Sequence, residues 1–172
     1  TSTSQPETRI DRHPLIWFFA LAYAFSWPFF LLSHLADGTL GIVLIVIGGF
    51  GPMLAAAIVI SRTGGSLSEW LRSILRWRVS PVYYAYSLGL PVLLAVILNL
   101  ALTALGECPD VSLVVERAPA YLQTLLLTAV IFGGQEEPGW RGFALPQLQQ
   151  RHAPIVATLI LGLGWGIWHI PL

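Results

Sequence analysis

Five long stretches of this sequence contain no Asp, Glu, Lys or Arg, and they restrict the chain to a membrane environment. A helix that crosses a bilayer needs about 20 mostly apolar residues, and each stretch is close to or above that length. Because lipid cannot satisfy backbone polar groups, the stretches must form helices that pack into a bundle. The stretches are residues 14–36, 38–61, 79–106, 118–135 and 153–172. We therefore predict an all-α, multi-pass integral membrane bundle with about five spanning helices.

The composition excludes several other classes of protein. Charged residues make up 10% of the 172 residues, whereas a soluble domain averages about 25%. The formal net charge is zero, so no basic field attracts nucleic acid. Cys108 is the single cysteine of the chain and cannot form an internal disulfide.

The chain is predicted to have a polar N-terminal arm, residues 1–13, followed by one transmembrane domain, residues 14–172. Within this domain, residues 121–172 are predicted to form a helical hairpin. The sequence does not begin with Met and stops inside an apolar run at Leu172. We therefore expect the chain to be truncated at its C-terminus.

The positions of the arginines predict the orientation in the membrane. If the N-terminus lies in the cytoplasm, eight of the nine basic residues lie on or near the cytoplasmic side and only Arg117 lies outside. This distribution follows the positive-inside rule. We expect a multi-pass protein of the cell membrane with a cytoplasmic N-terminus.

A separate amphipathic helix is predicted over residues 67–78. Its apolar residues recur at the spacing of one helical face, and Ser66 with Glu69 fits a capping box. Three arginines line its polar side. We predict that this helix lies in the cytoplasmic interface, near anionic lipid headgroups.

Glu136, Glu137 and His169 are the ionisable side chains of greatest interest. A carboxylate at the centre of a span costs roughly 3 kcal/mol, so such residues are candidates for function. Glu136 and His169 are 33 residues apart, and the polar stretch 147–152 lies midway between them. In an antiparallel hairpin, each is then about 24 Å from the turn along its own helix. We therefore predict that both lie at the same depth, with Glu136 inside a long helix over residues 121–150.

Two glycines predict how His169 approaches this helix. Gly162 and Gly166 form a Gly-x-x-x-Gly motif, which allows another helix to pack closely. They share a helical face with Trp165 and His169, so close packing would bring His169 near Glu136.

The residues alone leave a functional site and a structural hydrogen-bonding pair equally open for Glu136 and His169. Glu137 and Arg141 are four residues apart on one helical face, which favours a structural ion pair. Four tryptophans are predicted to anchor the protein at the membrane interface; they are Trp17, Trp27, Trp70 and Trp77.

Two motifs resemble those of a known family. Glu136, Glu137 and Arg141 form the pattern Glu-Glu-x-x-x-Arg, which is similar to the first motif of the CAAX protease and bacteriocin-processing family. That family includes the type II CAAX prenyl endopeptidases and the proteins once called abortive-infection proteins. Trp165 and His169 resemble its second motif, with Trp where Phe is usual. The third motif of the family, His-x-x-x-Asn, is missing from this sequence.

The resemblance implies an intramembrane endopeptidase in which Glu136 acts as general base on a water molecule. It implies that His169 holds the water, a metal or the developing oxyanion, while Glu137 and Arg141 orient the site. A base that works near pH 7 needs a raised pKa, which burial provides. The implied partners are membrane lipids and a membrane-associated peptide or protein substrate, with prenylated proteins among the candidates.

Metal use is left open by the sequence. Glu136 and His169 would supply two ligands for Zn²⁺ or another divalent metal, whereas a catalytic zinc typically has three from the protein. A metal-free mechanism fits the same residues.

Two other functions stay open as alternatives. A buried Glu136 and His169 also suit a proton-coupled transporter. The same chain could be a non-catalytic membrane protein that binds a bacteriocin or another partner for immunity. The sequence gives no indication of oligomeric state.

Overall fold

The computed structural model describes residues 9–107 and 112–172, where the regular secondary structure is helical and no strand occurs; this confirms the all-α prediction. Residues 1–8 of the predicted arm and Cys108 lie outside the described residues. Two π-helices occur, Thr128–Phe132 and Trp140–Ala144. The α-helices are Arg9–Arg12, Pro14–Ser33, Thr39–Gly49, Gly51–Arg62, Leu67–Ile74, Pro81–Ala104, Ser112–Leu127, Glu137–Gly139, Leu145–Gln149 and Pro154–Trp168.

Three helices within the described residues are long and apolar enough to cross a membrane. They are the first span, Pro14–Ser33, the second span, Thr39–Arg62, and the third span, Pro81–Ala104. The protein is therefore a multi-pass membrane protein, and three of the five predicted spans have the expected length.

The other two predicted spans correspond to shorter apolar helices, Pro119–Phe132 and Pro154–Trp168. The latter is called the C-terminal helix below. Gly133 follows the first of them and Pro171 lies shortly after the second. Because glycine commonly terminates helices and proline disfavours helical backbone before it, both helices stop short of the predicted ends.

The chain divides into two compact units. Of the described residues, one unit contains those up to Leu75 and those from Leu127 onward, and the other contains those between Arg76 and Leu126. The second unit includes the third span, whose side chains are exposed. All residues of the two sequence motifs belong to the first unit, so the candidate site is built within it.

A serine of the first span compensates for a proline in the second span. Pro52 has no N–H and cannot donate to the carbonyl of Gly48, four residues earlier. The buried Ser26 hydroxyl donates to that carbonyl over 2.7 Å. The two helices approach closely here, because a Cβ on Gly51 would overlap Ser26 Oγ. This contact fixes the two spans against each other near their middles.

Trp140 lies at the centre of an aromatic core in the first unit and is fully buried. Its ring meets Phe18 edge-on at a centroid distance of 5.2 Å and stacks against Trp165 at 6.3 Å. It also contacts Trp168 at 5.9 Å, and Trp168 packs edge-on against Phe30 at 4.9 Å. Such pairs contribute about 0.5–1.5 kcal/mol each beyond the burial of area. The core therefore holds the first motif between the first span and the C-terminal helix.

Side chains in and just after the first span bind backbone carbonyls at the end of the C-terminal helix. The carbonyl of Trp168 lies in the last turn of the helix and has no partner inside it, so the contact from Trp27 satisfies a group that needs one. Residue numbers rise together along both helices, which shows that the two helices run parallel. The contacts are Tyr23 Oη to Gly164 O at 2.7 Å, Trp27 Nε1 to Trp168 O at 3.2 Å and His34 Nε2 to Pro171 O at 2.7 Å.

The amphipathic helix covers Leu67–Ile74 and ends four residues before the predicted end. The Ser66 hydroxyl accepts a hydrogen bond from the Glu69 N–H at 3.3 Å, as a capping box requires. Trp70 is only 8% exposed, and a Cβ on Gly142 would lie 3.3 Å from its indole nitrogen. The predicted interface anchor is thus a core residue, because one face of this helix packs on the first motif.

Tyr23→Phe tests the hydrogen bonds between the first span and the C-terminal helix. The substitution removes the donor to Gly164 and keeps the ring, so we expect the free energy of unfolding to fall by about 0.5–1.5 kcal/mol. The measurement is chemical unfolding of the protein in detergent micelles. Tyr86→Phe, in the exposed third span, is the matched control. Equal effects of the two substitutions would contradict the assigned role of Tyr23.

Candidate active site

The helical structure breaks immediately before the glutamate pair. The π-helix Thr128–Phe132 precedes turns over residues 133–136, and the next helical turn begins at Glu137. The predicted long helix with Glu136 in its interior is therefore wrong. Pro138 lacks the N–H that would continue the helix, and the two glycines of the turn favour irregular backbone.

Contacts with the second span place this break at mid-depth of the bundle. A Cβ on Gly49 would overlap the amide nitrogen of Gln135, and a Cβ on Gly139 would overlap the backbone of Pro52. Gly49 and Pro52 lie on either side of the middle of the second span. Glu136 lies between these contacts and is 7% exposed. Glu136 is therefore level with the middle of the second span.

One carboxylate oxygen of Glu136 is held by a tryptophan. The indole N–H of Trp165 donates to Glu136 Oε2 over 2.9 Å. Among the described residues, no hydrogen bond reaches the other oxygen, Oε1. The carboxylate therefore has a fixed orientation and one oxygen available to another molecule.

His169 immediately follows the C-terminal helix and contacts the same tryptophan. Its Nδ1 lies 2.9 Å from the backbone carbonyl of Trp165. A carbonyl oxygen can only accept, so Nδ1 carries the hydrogen and Nε2 of the neutral ring bears the lone pair. The His169 side chain is exposed. Both residues thus bind Trp165: Glu136 accepts from the indole of Trp165, and His169 donates to the backbone carbonyl of Trp165.

Glu137 and Arg141 form the predicted ion pair. Arg141 Nε lies 2.9 Å from Glu137 Oε2, and both side chains are partly exposed. The guanidinium carbon of Arg141 also lies 5.8 Å from the centre of the Trp165 ring, within the range of a cation–π interaction. Three of the four predicted site residues therefore contact Trp165 directly.

The predicted close approach at Gly162 and Gly166 is wrong. A Cβ on either glycine would meet nothing within 4 Å in the part of the chain that the structure describes. Gly164 is the glycine at close range, since a Cβ there would overlap the ring of Phe19 in the first span. The hydrogen bond from Tyr23 to the Gly164 carbonyl explains which face of the C-terminal helix is turned inward.

The potential metal ligands that the structure describes around Glu136 are fewer than a catalytic zinc site typically has. Within residues 9–107 and 112–172, no three His, Cys, Asp or Glu side chains lie close enough together to hold a metal ion. Glu136 and His169 give two ligands, whereas a catalytic zinc typically takes three from the protein. The described residues by themselves do not fit such a zinc site.

Sequence reasoning missed two polar groups beside the site, a buried amide and an indole. Gln135 is 6% exposed, and its Oε1 has no hydrogen-bond partner among the described residues. The indole N–H of Trp27, which the sequence assigns only to the membrane interface, donates to the Trp168 carbonyl of the C-terminal helix. The spacing of Tyr23 and Trp27, four residues apart on one face of a span, was the available signal.

Comparisons with known proteins agree with the two motifs. Residues 118–172 match the family model described as type II CAAX prenyl endopeptidase Rce1-like. A stretch of 48 residues is 46% identical to CAAX prenyl protease 2 of Methanococcus maripaludis, and it covers 28% of this chain and 17% of that protein. No solved structure gives a significant match. The resemblance predicted from the motifs is confirmed over this C-terminal part of the chain.

Proposed function

We propose that the chain carries the active site of an intramembrane endopeptidase, which hydrolyses a peptide bond of a membrane-associated peptide or protein. The main support for this proposal is the burial and hydrogen bonding of the Glu136 carboxylate. It is buried at mid-depth, Trp165 binds one oxygen, and the other oxygen has no hydrogen-bond partner among the described residues. A general base needs this combination of burial, fixed orientation and a free lone pair.

The proposed mechanism uses the chain's own residues and one water molecule. The water donates one hydrogen bond to Glu136 Oε1 and another to His169 Nε2, which directs its lone pair at the substrate carbonyl. Glu136 takes a proton as the water oxygen bonds to the carbonyl carbon, and a tetrahedral intermediate forms. The proton then passes to the amide nitrogen, the carbon–nitrogen bond breaks, and a new carboxylate and a new amine leave.

Glu137 and Arg141 have a positioning role in this proposal. Their ion pair lies on the first helical turn after Glu136 and extends over the Trp165 ring. It ties the segment that carries the base to the helix that precedes His169. Proteins with a prenylated C-terminus are the proposed substrate class, since the matched relative is named as a CAAX prenyl protease.

The test is a cleavage assay with the full-length protein in lipid vesicles. Two quenched fluorescent peptides that end in a CAAX sequence are compared, one prenylated and one not. We expect cleavage of the prenylated peptide, with a new carboxylate detected by mass spectrometry. Glu69→Gln changes an exposed glutamate on the amphipathic helix and should keep the wild-type rate.

The alternatives give different results in the same vesicles. Failure to cleave either peptide would contradict the endopeptidase. Proton flux without cleavage would indicate the transporter, and peptide binding without cleavage would indicate the immunity protein.

His169→Ala is expected to lower kcat about tenfold or more. The substitution removes the acceptor that orients the attacking water, and a hydrogen bond of about 1.4 kcal/mol corresponds to a factor of ten. His152→Ala, in the exposed turn before the C-terminal helix, is the matched control and should leave kcat unchanged. An unchanged kcat in His169→Ala would remove His169 from the proposed site.

A further inference from the structure

We infer that Trp165 is the positioning residue of this site, whose indole orients the Glu136 carboxylate and supports Arg141 while its backbone carbonyl fixes the ring of His169. The inference rests on the proposed function. It differs from that function in assigning the geometry of the base to a specific N–H group.

The indole N–H acts on the base. It donates to Glu136 Oε2 over 2.9 Å, and hydrogen bonds to charged groups are among the strongest in proteins. A carboxylate held through one oxygen cannot rotate freely, so Oε1 stays on the side where a water can bind. A phenylalanine, the usual residue of the resembling motif, has no N–H and could not hold the carboxylate in this way.

The ring acts on Arg141. The guanidinium of Arg141 lies over its face at 5.8 Å and pairs with Glu137 at 2.9 Å. The face of the Trp165 ring thus contacts the ion pair through Arg141, while its N–H binds Glu136. Both elements of the first motif are aligned by a single side chain of the second motif.

The backbone of Trp165 acts on His169. The hydrogen bond from Nδ1 to the Trp165 carbonyl does not depend on the side chain at position 165. Substitution of the indole should therefore leave the ring of His169 in place. The effect of the side chain on Glu136 can be measured separately from that of the backbone on His169.

Trp165 is itself held in place from two sides. Its ring stacks on the fully buried Trp140, with ring centres 6.3 Å apart. The carbonyls of Gly164 and Trp168, on either side of it along the helix, accept hydrogen bonds from the first span. A residue fixed in this way can impose a geometry on its neighbours.

The experiment compares Trp165→Phe with Trp168→Phe in the full-length protein. Both substitutions remove an indole from the C-terminal helix, but the Trp168 N–H is buried without a hydrogen-bond partner among the described residues. We expect Trp165→Phe to lower kcat about 10- to 100-fold with little change in KM. Trp168→Phe should change kcat less than about threefold, although it should lower Tm as much or more because Trp168 is more deeply buried.

A second measurement does not need activity. The fall in Tm caused by Trp165→Phe should be smaller in a Glu136→Ala background, since the hydrogen bond is already lost there. If wild-type protein cleaves peptide and Trp165→Phe keeps its kcat, the positioning role is overturned and the proposed function stands. If wild-type protein cleaves nothing, the proposed function fails, and the positioning role of Trp165 in catalysis fails with it. Equal falls in Tm in the wild-type and Glu136→Ala backgrounds would show that the hydrogen bond between Trp165 and Glu136 does not stabilise the protein.

Discussion

Glu136→Gln is expected to lower kcat by about 10²- to 10⁴-fold, the range that a general base contributes. The amide has the shape of the carboxylate, and its carbonyl oxygen can still accept the N–H of Trp165. It cannot take a proton from water. We therefore expect KM and Tm to stay close to wild-type values while single-turnover cleavage nearly stops.

Glu137→Gln makes the same chemical change one residue further along. It breaks the ion pair with Arg141 but leaves the base in place, so its effect on kcat should be clearly smaller than that of Glu136→Gln. If Glu136→Gln kept most of the wild-type kcat, the base would have to be another residue. A larger fall in kcat in Glu137→Gln than in Glu136→Gln would indicate that Glu137 is the base and Glu136 the positioning residue.

Gly139→Ala is expected to destabilise the folded protein strongly. A Cβ at this position would overlap the backbone of Pro52 in the second span. A backbone cannot rotate away as the end of a flexible side chain can, so the helices must separate or shift. Overpacking of this kind costs about 1–3 kcal/mol, and occasionally more. Chemical unfolding in micelles, and the yield of folded protein after expression, would measure the loss.

Gly162→Ala is the matched control for this substitution. A Cβ there would meet nothing within 4 Å among the described residues, and alanine favours helix over glycine by up to about 1 kcal/mol. We expect Gly162→Ala to keep or raise the stability. If both alanines were tolerated equally, the close contact between the first motif and the second span would be wrong.

The main features of the fold could be predicted because lipid imposes them. The absence of charge over residues 14–36, 38–61 and 79–106 predicts three spans that the structure contains. The N-cap hydrogen bond at Ser66 follows from local chemistry alone. Local breaks were harder to predict, because a proline such as Pro138 can kink a helix or end it, and tertiary contacts with the second span decide which occurs.

The candidate site was predicted in part for a similar reason. The Glu137–Arg141 pair depends on spacing within one short segment, and spacing is visible in a sequence. The contact between Glu136 and Trp165 joins residues 29 positions apart, and it depends on which face the C-terminal helix turns inward. Three glycines lie on that helix. The hydrogen bond from Tyr23 turns the face with Gly164 towards the first span, and the sequence does not show this contact.

The hydrogen bonds from Tyr23 and Trp27 join positions that are 141 residues apart in the chain. During synthesis the first span therefore enters the membrane long before its partner leaves the ribosome. A nascent chain holds Glu136 in the membrane without the indole that orients it, since Trp165 belongs to a helix made later. Under the proposed function, Glu136 becomes an oriented base only after the C-terminal helix has inserted beside the first span.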